Sequence, residues 1–201
     1  MRALLLPILF LAASAGAQTA RYRIYQGEKP LGWATVSRTL RTDGCKDVVT
    51  TMQLGEARVR TTARYAGDGS MLTRRVDTLG PADRVLGFIL YRFGPKEVAV
   101  LNDNAGKRTT SQVPMVEGTA DPSENWFARE KPAVGAKTES KALNAALKWE
   151  DRTTEYVGPR EGGHLVRQTV AGKTAEVLVD DAGMPLRVVT PEGVKMIKIA
   201  A

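Results

Sequence analysis

Short runs of alternating apolar and polar residues, broken by turn-forming residues about every 8–12 positions, leave this chain few folds to adopt. In 57–65, Ala57, Val59, Thr61, Ala63 and Tyr65 fall on one side of an extended strand, and Arg58, Arg60, Thr62 and Arg64 on the other. Segment 173–180 repeats this with Ala175, Val177 and Val179, and 184–190 with Met184, Leu186 and Val188. Turn signals separate such runs: Lys29-Pro30-Leu31-Gly32, Asp43-Gly44, Gly67-Asp68-Gly69, Gly80-Pro81, Asn102 to Gly106, Gly158-Pro159 and Asp181-Ala182-Gly183. The pattern predicts a mainly β chain, an antiparallel meander that forms a curved sheet or half-open barrel.

Two stretches depart from it. Val85 to Phe93 is almost continuously apolar, and a strand apolar on both faces needs cover on both. In 114–136 the alternation stops. There Asp121 as N-cap, Pro122 at the first position and Glu124 at the third predict a short helix over 122–130. That helix carries Trp126 and Phe127 and is expected to cap one end of the β structure, burying both aromatics against 85–93.

The N-terminus reads as an export signal. Arg2 supplies the positive charge, Ala3 to Ala13 form a short apolar stretch, and Ala15-Gly16-Ala17 is a small-x-small cleavage site. The apolar stretch is well short of the roughly 20 residues that span a bilayer. The expected division is a signal peptide over 1–17 and one antiparallel β domain over 18–201, periplasmic or extracellular, with no transmembrane segment after signal removal. Removing 17 of 201 residues, Arg2 among them, leaves 28 Lys+Arg against 22 Asp+Glu, a net charge of about +6.

Chemistry-bearing residues are sparse. His164 is the only histidine and Cys45 the only cysteine, so no internal disulfide can form and no zinc shell can be filled. Cys45 is left as a half-buried free thiol or an intermolecular disulfide. No G-x-S-x-G elbow exists, His164 reads as a surface residue at a strand start, and Asn102 to Gly106 reads as a hairpin turn rather than a calcium loop. Glu117, Asp121 and Glu124 form the one acidic cluster in an irregular segment, and capping accounts for the last two. The expectation is a protein that is not an enzyme, with no catalytic residues, no metal and no cofactor.

A basic stripe stands out. If Asp68-Gly69 makes a two-residue turn, Arg60 lies opposite Asp77 and Thr62 opposite Arg75. Arg58, Arg64 and Arg75 then remain as candidate contacts to an anionic surface, unless they simply keep a solvated face from aggregating. The same register puts Arg74 among Leu72 and Val76, a charge on an apolar face. Nucleic acid is disfavoured by the export signal and by the lack of aromatics interleaved with the arginines.

The opening strand Arg21 to Tyr25 with Gln26 to Gly32, and the strand-turn-strand run Gly172 to Arg187, resemble exported bacterial β proteins of unknown function. Such proteins are similar to the lipoprotein carriers, whose fold is an incomplete antiparallel barrel with a lipid-binding concavity closed by a helix or loop. The resemblance implies that fold here and carries over no functional residue. Together these features point to an exported binding protein for a lipid or other amphipathic ligand. Val59, Tyr65, Phe88, Leu90, Val98, Val100, Val177 and Val179 are the expected lining, with Trp126 and Phe127 at the mouth. The alternative is an accessory module of a cell-envelope complex that binds a protein partner through a sheet edge or the arginine face.

Overall fold

A computed structural model describes residues 17–117 and 126–199. The first half supplies β1 (Ala17–Gln26), β2 (Lys29–Leu40), β3 (Lys46–Leu54), β4 (Ala57–Tyr65), β5 (Met71–Leu79), β6 (Val85–Phe93), β7 (Glu97–Asn104) and β8 (Lys107–Pro114). A short helix α1 (Trp126–Glu130) precedes β9 (Lys137–Leu143), β10 (Trp149–Arg160), β11 (Gly163–Val170), β12 (Lys173–Val179), β13 (Pro185–Val189) and β14 (Val194–Ile199). All fourteen strands form one open, curved, antiparallel sheet, ordered β8 through β1 and then β14 through β9. The chain thus builds two meanders that meet where β1 pairs with β14.

The edge strands β8 and β9 do not pair with each other. Side chains bring them together instead. Leu143, Leu147 and Trp149, around the β9–β10 turn, pack with Tyr91, Val98, Val100 and Val113 of β6–β8. The Trp149 indole donates to the Pro114 carbonyl at 2.8 Å. Among the described residues no further strand pairs with the outer edges of β8 and β9.

The inner face is dense. Tyr22, Ile24, Ala34, Val36, Val48, Ala63, Tyr65 and Met184 form one apolar cluster. Tyr22 is wholly buried and its hydroxyl donates to the Pro185 carbonyl at 2.9 Å. In β4 the expected alternation buries Ala63 and Tyr65 on the inner side, whereas Ala57 and Val59 at its start are exposed.

Arg60 faces Asp77 and Thr62 faces Arg75 as expected, although the turn between them is not a two-residue one. Ala66 and Ser70 close a three-residue loop with Gly69 at φ +88°, and a bulge at Arg64/Tyr65 restores the pairing that a tighter turn would have produced. Two expected turns lie inside strands. The first reversal is at Gly27-Glu28, with Gln26 opposite Lys29, so Pro30 and Gly32 belong to β2. Gly158-Pro159 lies within β10 at a bulge with Gly158 at φ +138°, and the chain reverses at Glu161-Gly162.

The short helix forms within the expected stretch but covers a different part of the sheet. Its described part is Trp126–Glu130, while Asp121, Pro122 and Glu124 lie outside the described residues. Trp126 packs on Tyr156, Val166 and Val179, so α1 covers the β10–β12 end and not the 85–93 strand. With Trp126 only 8% exposed, Trp126→Ala is expected to cost about 3–5 kcal/mol, read as a lower midpoint in chemical denaturation. An unchanged midpoint would show that the contact contributes little.

Candidate functional site: the outer groove of β6–β8

Residues paired across antiparallel strands share a face, so the register sorts the apolar run of β6 into two sets. Tyr91 belongs to the inner row Arg38, Val48, Ala63, Arg74, Tyr91, Val100. Phe88 belongs to the outer row Arg21, Thr35, Thr51, Arg60, Asp77, Phe88, Asp103, Arg108. Beside it on the outer face run two shorter rows: Leu90, Leu101 and Thr110, then Arg92, Ala99 and Gln112. These six line an open groove of about 570 Å³ that ends at the edge strand β8.

β6 is therefore apolar on both sides, as its sequence demands, but its outer side is only partly covered. Over Phe88 lies the Arg75 guanidinium, 4.1 Å from the ring centroid. No described residue closes the groove over Leu90 and Leu101.

Electrostatics distinguish one member of the groove. Four arginines of β4, β5 and β8 on the outer face are held by carboxylates: Arg58 pairs with Asp83, Arg64 donates to Asp47 at 2.7 Å, Arg108 to Asp103 at 2.7 Å, and Arg75 to Asp77. Asp77 accepts from Arg60 at 3.0 and 3.2 Å and from Arg75 at 2.6 Å. Arg92 has no acidic partner among the described residues, and it lines the groove.

The candidate anion contacts Arg58, Arg64 and Arg75 are thus each already in an ion pair. Of the candidate lining residues, Tyr65 and Val98 are buried on the inner face, and Val59 belongs to the inner side of β4. Val100 is buried there too, and Val177 and Val179 belong to the inner cluster beneath α1. Phe88 and Leu90 lie on the outer face. The expected lining is therefore divided between two sides of the sheet.

The ion pairs leave a pH signature. Arg64, and after it Arg41, hold the Asp47 carboxyl below its ordinary range against the opposing effect of burial. Arg108 and the Gly106 amide do the same to Asp103. A carboxyl whose folded value is depressed contributes its full stability above the unfolded value of about 3.9, and loses it as pH falls through the folded value. Stability is expected to fall as the solution is acidified below about pH 4, and Asp47→Asn to flatten that fall in denaturant titrations. Equal slopes for the two proteins would contradict the assignment.

Trp126 and Phe127 lie over β10–β12 and not at the groove. Phe127 meets Tyr156 edge-on at 5.1 Å and sits 4.7 Å from the His164 ring. His164 is not the solitary surface residue its sequence context suggests. One ring nitrogen is 2.8 Å from the Tyr156 hydroxyl and the other 2.8 Å from Asp181. The hollow over them is lined by Phe127, Lys131, Pro132, Tyr156, His164 and Asp181, with no serine or cysteine nucleophile among the described lining residues. Sequence separation hid this cluster, since a β-bulge and a turn bring its members together. Cys45 is a free thiol in the β2–β3 turn, held above its ordinary range by burial and by Asp43. Glu117 is exposed. Among the described residues no group of three or more His, Cys, Asp or Glu could hold a metal, and no helix is long and apolar enough to cross a membrane.

Comparison with known proteins adds the fold. No family model matches the chain, and no curated protein sequence matches it. A solved structure does: the beta-barrel-like protein of Domain of Unknown Function DUF1849 from Brucella abortus. It is 11% identical, with a TM-score of 0.52 over 91% of this chain and 94% of that one. The chain has a β-barrel-like fold shared with a protein of unknown function.

Proposed function

We propose that the chain is an exported, non-enzymatic binding protein for an anionic amphipathic molecule such as a lipid, held in the outer groove of β6–β8. One observation carries this reading: the apolar outer face of β6 and β7 is left open beside Arg92, the groove-lining arginine without a carboxylate. An acyl chain laid over Leu90, Ala99 and Leu101 would remove apolar surface from water at about 25 cal/mol per Å². A carboxylate or phosphate head would take the fork of Arg92. Thr110 and Gln112 form a polar rim, in keeping with sites where few polar groups orient a largely apolar ligand. Export is supported by the charged, apolar and small-residue segments at the start of the chain. The resemblance to lipoprotein carriers agrees with the ligand class.

A second reading has its own observation. β8 is an edge strand with most of its side chains exposed, and a partner strand could add to it.

Titration of the protein with a dansylated undecanoic acid separates the two. Saturable fluorescence enhancement is expected, weakened about tenfold in Arg92→Gln and abolished in Leu101→Asp, because a buried charge opposes an acyl chain strongly. Binding that both variants retain at wild-type strength would remove the groove from consideration. Absence of any binding would leave the edge-strand reading.

A further inference from the structure

Where the two meanders meet, the sheet carries charge of one sign. β13, β14, β1 and β2 are neighbours, and none of these four strands contains an aspartate or a glutamate. Some of their cations find partners elsewhere. Arg38 donates to the Gly183 carbonyl at 3.1 Å, Arg187 pairs with Glu161 at 3.4 Å, and Lys198 with Asp180 at 3.7 Å. Lys29 lies beside the β1–β2 turn. Arg21, Arg23 and Lys195 are exposed, with no carboxylate at ion-pair distance among the described residues.

The register sets these three on the outer face among large apolar side chains. Arg21 stands opposite Ile199, and Arg23 lies between Ile197 of β14 and Trp33 of β2. Lys195 is two residues from Ile197 and shares its face. Tyr22 and Ile24, which alternate with the arginines, are buried in the core. Ile197 and Ile199 remain 39% and 38% exposed, and Trp33 is half-buried with the Arg58 guanidinium 5.4 Å from its ring centroid. A lone exposed isoleucine needs no explanation, but two of them and a tryptophan interleaved with unpaired cations form a patch. Acids near it are confined to the turns at one end, where Glu28 is exposed and Glu192 is held by Lys173 at 3.0 Å.

Charge limits what can cover this face. A second copy seated on it would bring Arg21, Arg23 and Lys195 against their own counterparts, and like charges at close quarters repel. An anionic bilayer suits every feature: phosphates attract the cations, the acyl boundary accepts the isoleucines, and tryptophan favours the interface between them. We propose that the outer face of β14, β1 and β2 docks the protein on an anionic lipid bilayer. Ile197, Ile199 and Trp33 enter the head-group layer, and Arg21, Arg23 and Lys195 meet its phosphates. The face lies apart from the β6–β8 groove, and docking does not require the groove to hold a lipid.

The test is co-sedimentation of the protein with vesicles of phosphatidylcholine alone and of phosphatidylcholine mixed equally with phosphatidylglycerol. Binding to the mixed vesicles is expected, falling as salt is raised, with little binding to the neutral ones. Arg21→Gln with Arg23→Gln should weaken it about 25-fold, because each cation near an anionic surface contributes about fivefold. Ile197→Ser with Ile199→Ser should weaken it about tenfold. Lys96→Gln with Lys107→Gln, at exposed residues beside the two ends of β7, removes the same charge and should change binding little. Leu101→Asp, which disables the groove, should sediment with the mixed vesicles as the unaltered protein does. Equal losses in the two charge variants would reduce the attraction to net charge and overturn the proposal. Full retention by the isoleucine variant would assign the face to a soluble polyanion instead. Loss in Leu101→Asp alone, or no binding to the mixed vesicles, would also contradict docking through this face.

Discussion

Replacing Gly32 with alanine is expected to destabilise the protein by about 3 kcal/mol, far more than one methyl group ordinarily does. A Cβ built on Gly32 would lie 1.8 Å from the Gln53 carbonyl oxygen and 2.9 Å from its carbon. Both are backbone atoms of the neighbouring strand, so no side-chain rotation relieves the clash. β2 and β3 would have to separate where Gly32 pairs with Leu54, next to the bulge at Ile24/Tyr25. A glycine inside a strand often marks such a close backbone approach. Alanine at Gly55, where a Cβ meets nothing within 4 Å, is a useful contrast, although its φ of +58° carries a strain of its own. Urea unfolding measures both. A Gly32→Ala protein with a wild-type midpoint would mean that the two strands do not approach as described.

Asp77→Asn is expected to cost a similar amount, about 3 kcal/mol, because it removes the buried carboxylate that Arg60 and Arg75 share. Asp77 is 2% exposed, whereas its partners Arg60 and Arg75 remain 36% and 39% exposed at the side chain. Three charge-assisted hydrogen bonds end on it. Without the charge, two guanidiniums held against the sheet repel each other with no counter-ion. Adding Arg60→Met to Asp77→Asn should recover part of the loss, since the second change removes the uncompensated cation. Strictly additive effects would show that the triad is not an energetic unit. By contrast, Glu192→Gln, which breaks the solvent-facing pair with Lys173, should leave stability nearly unchanged.

Much of the architecture was legible because alternation reports which side chains share a face. The β4 pattern and the Arg60–Asp77 register could be read from the residues, even though a longer loop and a bulge achieve that register. Glycine and proline were harder to interpret. Gly32 and Pro159 read as turn residues, yet the first permits a close strand contact and the second follows a bulge within β10. The apolar run of β6 showed that a second face needed cover and could not show which residues lay on it. Phe88 and Leu90 therefore seemed to belong with Val98, until pairing with Asp103 and Leu101 placed them outside.

The groove itself had a partial signal. Arg92 sits within an apolar strand and has no acidic residue opposite it in β5 or β7, since it faces Thr73 and Ala99. Arg75 has Asp77 two residues along its own strand. That difference is visible only once the register is known. His164 offered no such signal, because its partners Tyr156 and Asp181 are brought to it by a bulge and a hairpin turn. Arg74 was recognisable as a charge on an apolar face. What lies near it across the interior depends on how far the sheet curls, and local pattern does not encode curvature.

Native mass spectrometry of the protein, recovered under gentle conditions from expressing cells, tests the central claim most directly. The groove reading expects an added mass of lipid size that disappears on denaturation and is missing from Leu101→Asp. A bare protein mass, with no uptake when anionic lipid is added, would contradict it.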